Sequence, residues 1–343
     1  MRPVSKRASA ALVAGVATLS AAMTATGMGA NDARAATDEL VTIVAVGDIA
    51  CQPNWPGYNN GNGEGKVCRQ KATADLIKTI DPAYVLTLGD QQYETGQLKD
   101  FRRVFAPNFA PFLNRSNLGQ NRLWPVPGNH EYGDDAARVE KARGYWAFFN
   151  GGSLRKPEPT GVAGPSHRGW YRRDIGAWTV LALNANCTYL PRGCTTKSAQ
   201  YRWLSRELRS SAQCTLAFWH QPLFNHGKEA AERAVRPFWR LLLKHDAELV
   251  LNGHDHSYQR FPPLDERGNP DPDGLVEFVV GTGGHSLVSF ANKPSQPPTV
   301  TRSTSTVGAL QMALNPGSYD FRFVPADFPG NGSYTDSGSA SCH

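Results

Sequence analysis

Short apolar runs, each followed by polar or glycine-rich residues, constrain the fold of this chain more than any other feature of its sequence. The runs are rich in Val, Ile and Leu and lie at 41–46, 83–88, 123–126, 178–183, 215–219, 249–251 and 275–280. Runs of this length and composition are typical of strands that are buried on both faces of a sheet. The sequence therefore predicts a sheet-based core that is covered on both sides.

Helices are predicted between some of these runs, because apolar residues recur at helical spacing at 69–80, 198–208 and 230–244. The Asp-Pro pair at 81–82 should end the first helix, and Pro237 should kink the third. Near the C-terminus the pattern changes to two alternating strands about Asn-Pro-Gly at 315–317, which predicts a hairpin. No internal repeat or linker interrupts this order, so we expect one mature α/β domain.

The N-terminal segment has the layout of a secretory signal peptide. A positive head of Arg2, Lys6 and Arg7 precedes a weakly apolar Ala-rich run, and a small-x-small site follows at 33–35. The run contains no long Leu or Ile block, so a permanent membrane anchor is the weaker interpretation. We therefore expect a secreted, extracellular protein. Its predicted parts are a leader at 1–35, a single mature domain at 36–327, and a loose Gly/Ser-rich tail at 328–343 that is tethered by Cys342.

Removal of the leader changes the interpretation of the charge and of the cysteines. The formal net charge falls from +6 to +3, because the leader takes away four basic residues and one acidic residue. No Lys/Arg cluster remains that would indicate a nucleic-acid partner. All six cysteines lie after the leader, and an even number in an oxidising compartment predicts disulfides, of which fifteen pairings are possible. Closing the shortest loops first predicts the pairs Cys51–Cys68, Cys187–Cys194 and Cys214–Cys342.

The candidate chemistry lies where the apolar runs end. Five runs lead into glycine, carboxylate, amide or imidazole residues, namely Gly47-Asp48, Gly89-Asp90 with Tyr93 three residues later, Gly128-Asn129-His130-Glu131, His220, and Gly253-His254-Asp255-His256. In open α/β sheets, ligands bind beyond the carboxyl ends of the strands. The repetition therefore predicts that these side chains form one site.

The residue types at these positions point to metal chemistry. Two Asp, one Asn, two or three His and one Tyr form a mixed oxygen and nitrogen set, which suits Fe, Mn or Zn. The set is too large for one tetrahedral zinc ion. It suits two metal ions about 3.5–4 Å apart, the spacing used in phosphate-ester hydrolysis, with a carboxylate such as Asp90 between them. No G-x-S-x-G elbow and no Walker loop offers a competing chemistry.

This ordered set resembles the signature of the calcineurin-like metallophosphoesterase superfamily, and most closely its purple acid phosphatase branch. The resemblance spans roughly residues 41–285 and implies an αββα sandwich of two mixed β-sheets flanked by helices. Most of the superfamily begins with Asp-x-His, whereas this chain has Asp48-Ile49-Ala50, and Tyr93 stands where the purple acid phosphatase branch has its tyrosine ligand. Because only a short stretch separates the predicted cleavage site from Val41, we expect the chain to lack the additional N-terminal β-domain of plant-type members.

The resemblance also implies a role for each matching residue. The first metal ion, Fe³⁺ because a tyrosinate prefers a strongly Lewis-acidic ion, would take Asp48, Asp90, Tyr93 and His256. The second, a divalent Fe²⁺, Zn²⁺ or Mn²⁺ ion, would take Asp90, Asn129, His220 and His254. His130 is expected to hydrogen-bond the phosphate and assist the leaving group. His226 is expected to contact substrate, with a surface histidine as the alternative, and the remaining candidates are interpreted as structural or surface residues: His167, His245 and His285.

Together these expectations describe a secreted dimetal phosphatase that hydrolyses small phosphate monoesters through a metal-bound hydroxide, without a nucleic-acid partner or a stable membrane anchor. One alternative is a phosphodiesterase or nucleotidase on the same metals, because rim loops set substrate choice and the sequence does not reveal their shape. The other is an exported binding module with a vestigial metal site. The complete ligand set argues against the vestigial site.

Overall fold

The fold is built from two mixed β-sheets. The computed structural model describes residues 40–133, 141–291 and 297–343. Its strands are β1 (Val41–Val46), β2 (Tyr84–Thr87), β3 (Leu123–Pro125), β4 (Thr160–Gly161), β5 (Gly164–Pro165), β6 (Tyr171–Ile175), β7 (Trp178–Ala182), β8 (Cys214–Phe218), β9 (Leu249–Asn252), β10 (Tyr258–Arg260), β11 (Val276–Val280), β12 (Thr301–Ser303), β13 (Gly308–Asn315), β14 (Ser318–Pro325) and β15 (Asp336–Ser341). The first sheet has the order β15-β14-β13-β1-β2-β3 and the second has the order β12-β10-β11-β9-β8-β7-β6, while β4 and β5 pair separately.

Parallel pairing in each sheet places the carboxyl ends of several strands at one edge. In the first sheet β1, β2 and β3 are parallel, with Val44 opposite Val85. In the second sheet β7, β8, β9 and β11 are parallel, with Leu216 opposite Leu249. The hairpin of β13 and β14 pairs antiparallel to β1, so the predicted C-terminal hairpin is confirmed.

Short helices cover the sheets. They are α1 (Gln70–Ile80), α2 (Leu98–Asp100), α3 (Ala106–Phe109), α4 (Asn129–Tyr132), α5 (Arg143–Phe149), α6 (Ala199–Glu207) and α7 (Arg236–Leu243). A π-helical segment, Phe101–Phe105, joins α2 to α3 without a break. Single 3₁₀ turns occur at Asn59–Gly61, Ala110–Phe112, Leu118–Gln120, Cys187–Tyr189, Leu208–Ser210 and Arg233–Val235.

The alternation of side chains along the strands creates three apolar layers. In β1, Ile43 and Ala45 belong to the core between the two sheets, whereas Val44 and Val46 pack with the helices outside the first sheet. Outside the second sheet, residues of β8 and β9 pack with Trp239 and other buried residues of α6 and α7. Helices therefore lie on the outer face of each sheet, and the predicted αββα sandwich is confirmed.

One local prediction about the helices was wrong, and one helix was missed. Pro237 lies in the first turn of α7 and does not kink it, because a residue at that position has no intrahelical N–H bond to lose. Helix α5 was not predicted at all. Its residues from Gly144 to Phe149 are all buried, so its sequence shows no polar face from which a helical period could be recognised.

The C-terminal tail is more ordered than its Gly/Ser-rich composition predicts. Asp336–Ser341 forms β15 at the edge of the first sheet. The Asp336 carboxylate accepts hydrogen bonds from Tyr258 Oη and Arg260 Nε, both at 2.7 Å. Beyond the strand, Cys342 is bonded to Cys214, and the other two predicted disulfides, Cys51–Cys68 and Cys187–Cys194, are also present. The disulfide and the ion pair hold a polar strand that has little apolar surface of its own.

The predicted leader at 1–35 lies outside the described residues. The three described ranges together form one compact unit. Across the three described ranges, the helices are all too short or too polar to cross a bilayer.

Candidate metal centre

The carboxyl edges of both sheets meet at one place, where the residues singled out by the sequence lie. Asp48 follows β1, Asp90 follows β2, and Asn129 begins α4 after β3. From the second sheet, His220 follows β8, and the segment with His254 and His256 follows β9. Backbone hydrogen bonds from Gly47 N to Val280 O and from Gly283 N to Gly47 O, both 2.9 Å, join the two sheets beside this edge.

Four side-chain atoms converge to form a first group. Tyr93 Oη lies 2.9 Å from Asp48 Oδ1, 3.2 Å from Asp90 Oδ2 and 2.9 Å from His256 Nε2. His256 Nε2 is also 3.4 Å from Asp48 Oδ1. These are the four residues that the resemblance assigns to the first metal ion.

A second group lies against the first and shares an atom with it. Asp90 Oδ2 is 3.1 Å from His220 Nε2. Asn129 Oδ1 lies 3.0 Å from His220 Nε2 and 3.0 Å from His254 Nδ1. Ligand atoms of Asp90, His220 and His254 all lie within 4.8 Å of one another, close enough to hold a single ion. Asp90 Oδ2 is therefore common to both groups.

The donor chemistry of the two groups fits two metal cations. In the first group, burial opposes ionisation of both carboxyls, but the neighbouring histidines outweigh it and lower the pKa of Asp48 and of Asp90. With the carboxylates ionised, the phenol and the imidazole supply at most two protons for four short contacts, so lone pairs face one another. A bound cation would satisfy all four atoms. Burial and the nearby His220 lower the pKa of His254 to about 4, so that imidazole is neutral without a bound cation. Burial also acts to lower the pKa of His220, but Asp90 outweighs it and raises that pKa to about 9, so a cation that binds there must displace a proton.

The backbone at the site adopts conformations that few residues tolerate. Asp48, Asp90 and His254 have φ values of 61°, 46° and 74°, in the left-handed region. Position 128 accepts only glycine, because a Cβ there would lie 2.1 Å from Asp90 Oδ1. Strain of this kind is retained at functional sites when the surrounding structure enforces it.

Glu131 is a buried supporting residue whose role the sequence did not reveal. Its carboxylate accepts hydrogen bonds from the backbone N–H groups of Gly128 at 2.8 Å, Asp90 at 2.9 Å and Gln92 at 3.2 Å. Burial and the charge of Asp90 raise its pKa to about 8, against the effect of these bonds. Glu131 thereby ties the turn after β2 to the turn after β3. Its place in Gly-Asn-His-Glu was the available signal, but only its buried position identifies the role.

The predicted acid, His130, lies beside the two groups. Its backbone N–H donates to Asp90 Oδ1 at 2.9 Å, and its ring centroid is 4.3 Å from that of Tyr93. The ring Nδ1 lies 2.7 Å from the carbonyl oxygen of Glu94 and therefore carries a proton that it donates. The opposite nitrogen, Nε2, is 3.9 Å from Asp90 Oδ2, so the reactive edge of the ring faces the centre.

His226 makes its contacts elsewhere. Its Nε2 lies 2.5 Å from Pro297 O and its Nδ1 lies 3.4 Å from an Arg302 nitrogen. Its ring also packs against Phe261, with centroids 5.2 Å apart. Both ring nitrogens are engaged by the 297–302 segment, so these contacts lend no support to the predicted role of His226 in substrate binding. They are those of a residue that anchors a loop.

His285, which the sequence placed among structural or surface residues, is only 5% exposed and lies at the centre. Its ring stacks on Tyr93 with centroids 3.8 Å apart and an interplanar angle of 22°. The available signal was the Gly281-Thr282-Gly283-Gly284 turn after β11, which repeats the pattern of a strand followed by glycine and then a polar residue.

Comparisons with known proteins agree with this geometry. A family model described as calcineurin-like phosphoesterase matches residues 41–258. Tartrate-resistant acid phosphatase type 5 of Sus scrofa is 25% identical over 273 residues, which cover 74% of this chain and 72% of the relative. Purple acid phosphatase 15 of Arabidopsis thaliana is 29% identical over 188 residues, covering 51% of this chain and 32% of the relative. The chain thus spans about a third of the length of that plant protein.

A solved structure of the purple acid phosphatase PPD1 from yellow lupin (Lupinus luteus) has the same fold. It superposes with a TM-score of 0.68 at 18% identity, covering 90% of this chain and 55% of the lupin chain. The matched family model covers more than half of the present sequence and includes the first four strand-end clusters together with His254 and His256. The chain belongs to the calcineurin-like phosphoesterase family and has purple acid phosphatases among its relatives.

Proposed function

We propose that this protein is a dimetal phosphatase that hydrolyses phosphate monoesters. The observation that carries the proposal is the pair of donor groups that share Asp90 Oδ2. Family membership supports a phosphoric ester hydrolase, and the purple acid phosphatase relatives favour monoesters as substrates.

Each donor group would hold one ion. The first ion would bind Asp48, Asp90, Tyr93 and His256, and the second would bind Asp90, Asn129, His220 and His254. Because a phenolate favours a strongly Lewis-acidic ion, we assign Fe³⁺ to the first position and Fe²⁺, Zn²⁺ or Mn²⁺ to the second. When bound, such a pair supplies Lewis acidity toward the phosphoryl oxygens and activates water for attack.

The side chains around the ions have separate tasks. His130 is oriented by its Nδ1–H bond to Glu94 O, and its Nε2 holds the proton that the departing alkoxide takes. Glu131 keeps the turns that carry Asp90 and Asn129 at a constant separation, through its three backbone hydrogen bonds. The chain's own residues therefore position the ions and supply one proton.

Metal analysis and two substrates test this function together. We expect purified protein to contain two metal ions per chain, with a visible absorption band from a phenolate bound to Fe³⁺. A chelator should abolish hydrolysis of an aryl phosphate monoester, and added Fe³⁺ with Zn²⁺ should restore it. Under the same conditions, kcat/KM for the monoester should exceed kcat/KM for the matching diester. A strong preference for the diester would instead favour the phosphodiesterase alternative, and metal-independent hydrolysis would overturn the proposal.

We also propose that the protein is exported and acts outside the cell. Two features support this: the predicted leader at 1–35, and three disulfides, which persist in oxidising compartments. Expression of the full chain in an export-competent host should yield protein in the medium that begins at Ala36 by intact mass. Retention of the full-length chain with free thiols inside the cell would contradict export.

A further inference from the structure

His285 is held against the centre by its own backbone. Its N–H donates to Asp48 O at 3.1 Å, and its carbonyl oxygen accepts from Cys68 N at 2.9 Å. The first bond ties it to the turn that carries a ligand, and the second ties it to the loop closed by Cys51–Cys68. The position of its side chain is therefore coupled to the turn after β1.

The side chain of His285 lies between two aromatic rings and a carboxylate. It stacks on Tyr93 at 3.8 Å, and Trp55 lies against it with centroids 4.9 Å apart. The orientation of the Tyr93 ring determines where Oη points, and Oη belongs to the first donor group. A stacked neighbour with a fixed backbone restricts that orientation.

A chain of polar contacts leads from a ligand through His285 to an acidic side chain. His256 Nδ1 lies 3.0 Å from Ser286 Oγ, which lies 3.2 Å from His285 Nδ1. His285 Nε2 lies 3.4 Å from Glu94 Oε1. Both of these last atoms are buried and, within the described ranges, neither makes a hydrogen bond. They face each other at 3.4 Å as a polar contact between an imidazole and a carboxylate.

The direction of each hydrogen bond follows from proton counting. For His256 to offer its Nε2 lone pair to a cation, its proton must be on Nδ1, from which it donates to Ser286 Oγ. The Glu94 carboxylate can only accept, so His285 carries its proton on the Nε2 that faces it at 3.4 Å. His285 Nδ1 is then an acceptor, and the hydroxyl proton of Ser286 is donated to it. The other carboxylate oxygen, Glu94 Oε2, lies 3.6 Å from His130 Nδ1.

We propose that Glu94, His285 and Ser286 act as positioning residues that hold the first metal position in its geometry. They do so by fixing the tautomer of His256 and the ring plane of Tyr93. Contacts of this kind, outside the ligands themselves, commonly contribute about 10–100-fold to metal affinity or activity. The inference rests on the proposed dimetal function. It assigns roles to three residues that are not among the predicted metal ligands.

Paired substitutions separate the hydrogen bonds from the stacking. Ser286→Ala removes the hydroxyl and Ser286→Thr keeps it, while His285→Phe keeps a ring against Tyr93 without its nitrogens and His285→Ala removes both. His245→Ala, two residues beyond the end of α7, is the matched histidine control. Each variant is loaded with Fe³⁺ and Zn²⁺, its melting temperature is checked, and two quantities are recorded: the rate of metal loss to a chelator and the visible band of the phenolate.

We expect Ser286→Ala and His285→Phe to lose metal about 10–100-fold faster than the unsubstituted protein, and Ser286→Thr and His245→Ala to match it. His285→Ala should in addition shift the phenolate band, which His285→Phe should leave in place. If the unsubstituted protein binds both ions and hydrolyses esters but all variants keep the same rate and band, the positioning roles are wrong and the proposed function stands. If the unsubstituted protein holds no metal, the proposed function fails first.

Discussion

Asp90→Asn is expected to lower kcat/KM for phosphate monoesters by about 10³-fold. Asp90 Oδ2 is the atom common to both donor groups, so its loss weakens both metal positions. Metal ions contribute several kcal/mol to such reactions, and a loss of about 4 kcal/mol corresponds to about 10³ in rate. An amide oxygen can still accept from His130 N–H, so the local fold should survive.

Metal stoichiometry distinguishes loss of the shared ligand from loss of a single ligand. Asp90→Asn should lose most of both ions, whereas His254→Ala, which affects only the second group, should keep one ion. Asp75→Asn, on the exposed side of α1, serves as the matched control and should retain full activity. Two bound ions and unchanged hydrolysis in Asp90→Asn, with an unchanged melting temperature, would be incompatible with a bridging carboxylate.

His130→Ala is expected to lower kcat for an alkyl phosphate by about 10²–10³-fold, the range of general acid catalysis, while both metal ions remain bound. An alkoxide needs a proton in order to leave, and His130 Nε2 is the imidazole nitrogen that faces the centre. Nitrophenyl phosphate should be affected much less, because nitrophenolate leaves without protonation. The measurement is kcat for the two substrates in the same variant.

The difference between the two substrates is the informative result. A loss of equal size for both would mean that His130 binds phosphate or supports Asp90 and does not act as an acid. Turnover of the alkyl phosphate at the unsubstituted rate would show that it does neither. His245→Ala should leave both substrates unaffected.

Much of the fold could be predicted because buried strands have a strong local signature. The run at 41–46 coincides with β1, and the other runs agree with their strands to within a residue or two. Where local patterning was absent, prediction failed. Helix α5 is apolar on all sides, and β15 is polar and held by the Cys214–Cys342 disulfide and by Asp336.

The same contrast applies to the candidate site. The seven side chains assigned as ligands follow strand ends, and the motif-based prediction needed only their order along the chain. The residues that support the ligands do not belong to an ordered series of motifs along the chain. Glu131 and His285 act through contacts with backbone and rings that are distant in sequence, so nothing in their immediate neighbours indicates burial at the centre. His226 follows His220 closely in the sequence, and only the structure shows that its Nε2 contacts Pro297 O.

The sequence by itself determined the strand-based core, the αββα class and the family, because each depends on local apolar runs or on an ordered series of motifs. Only the tertiary structure decided which carboxylate oxygen is shared, which ring stacks on Tyr93, and where the second nitrogen of each histidine points. The physical reason is that these features depend on angles and distances between two sheets that meet at one edge. Such relations arise from packing across the core and not from the order of residues within one segment.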